Sequence, residues 1–259
     1  MRFLLFVSIC AGLIACTVGG VDANASTTCS VSSPAHRVAL VELYTSEGCS
    51  SCPPADNWLS ELDRARSANT VVPIALHVDY WDSLGWKDRF AQPTFTERQR
   101  ELSEQGRQYV VYTPEVFIGG HEMRAWSDNA RFTSTIQQLN TQASPIDIHV
   151  EARAAQPGRM KFDATFQSSG KPVDNVVAYA VVYENRLDSD VKAGENAGVV
   201  LHHDRVVRQW IGPVTVANGH VAITGDYPDG SGQSGVVAFA ESRTTGEVLQ
   251  VAELRPCAN

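Results

Sequence analysis

Two hydrophobic rhythms run along the chain, and one gives way to the other near residue 145. In the first part, solid apolar runs alternate with segments whose apolar residues recur every three or four positions. Residues 37–45 and 71–78 are apolar runs of the kind seen in strands buried on both faces. Pro73 belongs near the start of the second run, where a ladder donor can be spared. Between them, Pro53-Pro54 suits the first turn of a helix, where absent N–H groups cost least, and Ala55, Leu59 and Leu62 then share one face. Thr94-Phe95-Thr96-Glu97 reads as a capping box for a helix running to about Gln105 and stopped at Gly106. Residues 112–123 contain two short strands around Gly119-Gly120, a hairpin pattern, and a cis Thr113–Pro114 bond is tolerable just before the first. A helix over 128–142, capped by Ser127, presents Phe132, Ile136 and Leu139 to a core. The predicted order is β-α-β-α-β-β-α.

From Pro145 onward the period becomes two. Residues 146–152, 160–166, 176–183 and 214–223 read as alternating strands, and 236–241 and 248–254 add two more. Short strands divided by Gly, Pro, Asn and Asp, with no convincing helix, predict an antiparallel β-sandwich. The expected organisation is a removable leader over 1–25, an α/β domain over 36–143 and an all-β sandwich over 145–257. No internal repeat is visible, and low complexity is confined to Asp229–Gly235.

The leader has Arg2 ahead of an apolar stretch from Phe3 to Ala15, too short to span a bilayer, which takes about 20 residues. Ala23-Asn24-Ala25 fits a cleavage site before Ser26, while Leu13-Ile14-Ala15-Cys16 looks like a bacterial lipobox that would lipidate Cys16. Either exit takes the mature protein out of the cytoplasm, to the periplasm or beyond, free or lipid-anchored. A net charge of −8 argues against nucleic acid or an anionic membrane surface as the main partner.

Of the six cysteines, Cys10 and Cys16 fall in the leader. Cys29, Cys49, Cys52 and Cys257 remain, an even number for an oxidising compartment. Cys49-Ser50-Ser51-Cys52 follows a strand and opens a helix, the position of a redox dithiol. A thiolate there faces free N–H groups and the positive end of the helix dipole. Cys49 is then the outer, attacking sulfur and Cys52 the resolving one. If those two pair, Cys29 and Cys257 are left at the two ends of the folded chain for a structural staple. A zinc site would need about four ligands, and no second CxxC supplies them. No cofactor and no resident metal is expected.

With Thr113-Pro114 ahead of the third strand, residues 37–142 resemble a thioredoxin-fold domain, and Thr113 to Gly120 is similar to the cis-proline strand of glutaredoxins. The stretch Glu42 to Asp56, together with His77-Val78-Asp79-Tyr80-Trp81-Asp82, resembles a bacterial domain-of-unknown-function family of secreted thioredoxin-like proteins. That resemblance extends to Glu195-Asn196-Ala197-Gly198 and to His202–Arg208. It implies an α/β thioredoxin-like domain followed by an antiparallel sandwich, with Thr113 and Pro114 beside the sulfurs; the family carries no established reaction. Thioredoxins also keep a carboxylate beneath the deeper cysteine. Here Leu43 holds that register and Glu42 points to the other face. His77, Asp79, Tyr80, Trp81 and Asp82 end the second strand, where they can wall the dithiol and contact substrate or simply pack an inserted loop. His121 reads as a surface residue, and His202 and His203 point to opposite faces of a strand.

Three functions compete. An extracytoplasmic thiol–disulfide oxidoreductase would act on protein or small-molecule thiols and disulfides through Cys49 and Cys52, with Thr113, Pro114, Tyr80 and Trp81 at the substrate. A copper-handling protein would add His77 or His121 to the two sulfurs. A non-catalytic module would present the Tyr80-Trp81 loop to a partner. The oligomeric state stays open.

Overall fold

The computed structural model describes residues 28–228 and 233–257. The leader, its two exits and Cys16 lie outside the described residues, as do residues 229–232 of the glycine-rich stretch. Strand β1 (Thr28–Ser32) leads into β2 (Ala39–Thr45), helix α1 (Pro53–Ala65), β3 (Val71–His77), α2 (Pro93–Gln105), β4 (Glu115–Ile118), β5 (His121–Glu122) and α3 (Asn129–Asn140). The strands that follow are β6 (Ile146–Gln156), β7 (Arg159–Ser168), β8 (Val176–Glu184), β9 (Leu187–Asp190), β10 (Val200–His203), β11 (Val206–Thr215), β12 (His220–Pro228), β13 (Ser234–Ser242) and β14 (Val248–Leu254).

The change of rhythm at Pro145 does not divide the sheets. One eight-stranded sheet runs β14-β13-β8-β11-β3-β2-β4-β5, so strands from both parts of the chain lie side by side. The join is the parallel pairing of β11 with β3 at Val206 and Ala75, where the Ala75 N–H donates to the Arg205 carbonyl at 2.9 Å. A second sheet, β1-β6-β7-β12, shares a buried core with the first through Ile148, Val150, Phe162, Phe166, Ala178, Ala180 and Ala238. The β9–β10 hairpin stands apart from both sheets.

Helix α2 covers the join from the other side. Its Phe95 and Leu102 are buried in one cluster with Leu40 and Ile74 from the first part and Tyr179, Val181 and Phe239 from the second. Each such side chain contributes about 1.5–3 kcal/mol on burial, so the cluster ties the two parts together. Helices α1 and α3 pack the opposite face of β2, β3 and β4 through Ala55, Leu59, Phe132 and Ile136.

Several local expectations are corrected. Residues 176–183 are buried throughout rather than alternating, because β8 is an inner strand with the second sheet on one face and the α2 cluster on the other. Residues 214–223 are not one strand. The left-handed Asn218 and Gly219 turn the chain there, ending β11 in one sheet and starting β12 in the other. Asp128, not Ser127, caps α3, its Oδ1 accepting from the Ala130 and Arg131 N–H groups at 3.1 Å. Pro93 already sits in the first turn of α2, which leaves Thr94 inside the helix instead of at its cap. Residues Thr28–Ser32, ahead of the first predicted strand, form β1, paired with β6. Cys29 of β1 is bonded to Cys257, beyond β14.

Candidate functional site

The CxxC loop winds directly into α1. Cys49 N–H donates to Ser46 O, Cys52 N–H to Cys49 O, and the Ala55 and Asp56 N–H groups both reach Cys52 O, at 2.9–3.2 Å. Cys52 is the N-cap, with Pro53 and Pro54 in the first turn. Cys49 and Cys52 are bonded to each other. Ser50 and Ser51 face solvent, while Cys49 is 1% and Cys52 0% exposed. The outer position expected for Cys49 is therefore closed in this state.

Three elements pack around the cysteine loop. The Thr113 carbonyl lies 3.8 Å from Cys49 Sγ, and the Thr113–Pro114 peptide bond is cis. Trp81 Nε1 donates to Thr113 Oγ1 at 2.8 Å, and Trp81 packs so close to Gly48 that a Cβ there would come within 3.2 Å of its own. Trp81 thus links the cysteine loop to the proline loop. The third element comes from far away in sequence, between β9 and β10. Asn196 Nδ2 donates to the Glu47 and Cys49 carbonyls at 2.9 and 3.0 Å, and the Ser50 N–H donates to Glu195 Oε2 at 3.0 Å. That N–H holds the Glu195 carboxyl below its usual range.

Next to the loop lies a buried cluster of titratable groups from four segments: Glu47 in the loop, Asp56 on α1, His77 and Asp88 around the end of β3, and His203 on β10. His77 Nδ1 is 2.6 Å from Asp88 Oδ2, which also accepts from the Glu47 N–H at 2.9 Å. Trp86 Nε1 donates to Glu47 Oε2 at 2.7 Å. His203 sits 3.6 Å from Glu47 Oε1 and 4.0 Å from Asp56 Oδ2, beyond good hydrogen-bond length, with its ring centroid 5.0 Å from that of His77. Glu47 Oε1, His77 Nε2 and His203 Nε2 are buried without a hydrogen-bond partner.

Burial would raise the Asp88 carboxyl, but the His77 charge and its hydrogen bond hold it at about 2. Burial alone would lower His77; Asp88 reverses that and raises it. Glu47 is also held below its ordinary range against the effect of burial, chiefly by His203. Asp56 goes the other way, since burial outweighs the two histidines and raises it. Beside Pro114, burial pushes Glu115 up to about 7, with Gln99 Nε2 donating to its Oε2 at 2.6 Å.

Cys49, Cys52, Thr113, Pro114 and Trp81 thus meet at one place. Tyr80, like Trp81, packs against the α2 cluster, and its hydroxyl interacts with Gln99 and Thr113. Glu42 is removed to the α2 face, paired with Arg98 and away from the dithiol. His121 is exposed in the β4–β5 hairpin, and His202 is exposed beside Asp188. His203, set aside with His202 on the sequence, is buried in the cluster. Asp56, Asp88, Glu195 and Asn196 had no role on the sequence. The CPPAD spacing, one helical turn from Cys52 to Asp56, and the resemblance running through Glu195 and Asn196 were the signals that could have pointed to them. Among the described residues, no group of three or more His, Cys, Asp or Glu side chains is arranged to hold a metal ion.

The profile of a family described as "Protein of unknown function (DUF1223)" matches residues 40–241. No curated protein matches the chain. Two solved structures share its fold. A crystal structure of an Agrobacterium tumefaciens protein is 23% identical, with a TM-score of 0.59 over 86% of this chain and 97% of its own. HBP35 of Porphyromonas gingivalis is 13% identical, with a TM-score of 0.62 over 88% of this chain and 79% of its own.

Proposed function

The chain belongs to the DUF1223 family, which assigns it no reaction, and we propose from its site that it is an extracytoplasmic thiol–disulfide oxidoreductase. The observation that carries this reading is the Cys49–Cys52 disulfide at the start of α1 beside a buried, incompletely paired set of acids and imidazoles. Unpaired buried polar atoms cost stability, and they are tolerated most readily where chemistry uses them. Reading residues 36–143 as a thioredoxin-like domain is supported by the order β2-α1-β3-α2-β4-β5-α3, with the cysteines after its first strand and Pro114 before β4.

In the exchange, Cys49 is the sulfur attacked or attacking, and Cys52 leaves or resolves. Pro53 and Pro54 bring no N–H to the first turn and the Ala55 and Asp56 N–H groups go to Cys52 O, so it is the positive end of the α1 dipole that favours the Cys49 thiolate. Asp56, one turn beyond Cys52 and raised by burial, is the group suited to take up and return the proton of the leaving sulfur. Trp81 and Thr113 shape the side from which a protein or small-molecule substrate approaches.

The burial of Cys49 favours a second reading, a non-catalytic module with an inert disulfide. Equilibration of the mature protein with glutathione, followed by thiol alkylation, separates the two. A Cys49–Cys52 potential between about −120 and −270 mV is the expected result, and one below about −300 mV would leave only the inert module.

A further inference from the structure

Exchange at a disulfide requires the incoming sulfur to touch the sulfur that it attacks, in line with the bond that breaks. A thiolate attacks Cys49 Sγ, a new S–S bond forms, the Cys49–Cys52 bond breaks, and Cys52 departs as a thiolate that takes a proton. A second thiol then displaces Cys49, so two thiols of the reductant are oxidised to a disulfide and both cysteines are reduced. With Cys49 only 1% exposed, that first contact is blocked in the state observed.

The three elements around the cysteine loop are not equally held. Thr113 adjoins β4 of the large sheet, and Trp81 is bonded to Thr113 and packs against the α2 cluster. The segment between β9 and β10 belongs to a two-stranded hairpin joined to neither large sheet. It crosses the cysteine loop between Gly194 and Gly198, both left-handed, with φ of +75° and +84°. The bonds that fasten it there are the two from Asn196 and the one accepted by Glu195.

We propose that the Gly194–Gly198 loop determines access to the disulfide, with Asn196 as its latch, and that the bond exchanges only while the loop is displaced. The proposal rests on the oxidoreductase reading and supplies its regulation. Asn196 is a positioning residue: it touches the backbone of the cysteine loop, not the sulfurs. Glu195 couples the loop to the redox state. Its carboxylate accepts from the N–H of Ser50, the residue next to Cys49 and ahead of α1, so a new negative charge on the Cys49 thiolate repels it. The loop is closed over the oxidised protein and loosened by reduction.

The test is the rate at which excess dithiothreitol reduces Cys49–Cys52 in the full mature protein, followed by alkylation and mass spectrometry, with Cys29–Cys257 as internal reference. Asn196→Ala removes two hydrogen bonds from the closed form and is expected to speed reduction about tenfold or more. Gly198→Ala touches none of these bonds. Its Cβ would meet nothing within 4 Å, so only the left-handed backbone opposes it, and acceleration of roughly fivefold is expected. It also stands in for Asn196→Ala should that variant not fold. Folded variants reduced at the wild-type rate overturn the loop's role. A wild-type potential below about −300 mV defeats the oxidoreductase reading instead, whatever the rates.

Discussion

Two buried charged clusters sit on opposite sides of the central strands, and they are built to different standards. On the α2 side, Arg98 reaches Glu241 at 2.6 Å and Glu42 at 3.2 Å, and Tyr44 Oη donates to Glu42. None of the polar atoms of these four side chains is left without a partner. This cluster joins the first part of the chain to the second beneath packed aromatic rings, with the Arg98 guanidinium 5.5 Å from the Tyr179 ring centre. On the α1 side, the cluster of Glu47, Asp56, His77, Asp88 and His203 has three orphaned atoms and long contacts. A fully paired cluster holds charge in one arrangement. A half-paired one can gain or lose a proton with little rearrangement, which suits a place next to a dithiol.

The sharpest way to break this contrast is to remove one member from each cluster. Arg98→Ala leaves Glu42 and Glu241 buried and uncompensated, and about 3–5 kcal/mol of stability should vanish in urea unfolding. Replacing all three by apolar residues of similar volume should recover most of that loss. If the single variant costs under about 1 kcal/mol, the α2 cluster is not the structural partner described.

Asp88→Asn tests the one tight pair within the looser cluster. The Asp88 pKa is held at about 2, below its unfolded value of about 3.9, so its contribution is full above about pH 4 and lost as pH falls through 2. The His77 pKa is raised, so its share is full below about pH 6.5 and lost as pH rises through the elevated value. Between about pH 4 and 6.5 the variant should therefore be less stable by about 2 kcal/mol. Thermal unfolding across pH should show the gap closing toward pH 2.

The smallest stability effect should come from Asp56→Asn. Burial already disfavours the Asp56 charge, so a neutral amide should change stability by less than about 1 kcal/mol. Disulfide exchange should slow by at least about tenfold and lose its dependence on that group's ionisation, as read from the pH profile of the rate. A large loss of stability with an unaltered pH profile would make Asp56 structural, and the contrast between the clusters would collapse.

Much of the local structure was legible because it depends on near neighbours. The apolar runs at β2 and β3, the prolines opening α1 and the Gly119-Gly120 turn announce themselves within a few residues. The failures came where distant packing changes a residue's surroundings. The continuous burial of residues 176–183 follows from α2, which precedes them by some seventy positions, lying on their far face. Capping also slipped, by two residues at α2, where Pro93 takes the first turn and no side chain caps, and by one at α3, where Asp128 rather than its neighbour Ser127 takes the N–H groups.

For the site, the sequence by itself determined which atoms can do chemistry: two cysteines in a tight loop at the start of a helix, with a proline stretch to follow. That much is written in short-range spacing. Only the tertiary structure decided that the sulfurs are enclosed, that His203 rather than Glu42 joins the buried acids, and that Asn196 fastens the loop over Cys49. Those contacts span about 150 residues, and nothing in local periodicity encodes which β-hairpin will settle on which helix; pairing β11 beside β3 is what carries the β9–β10 hairpin to α1.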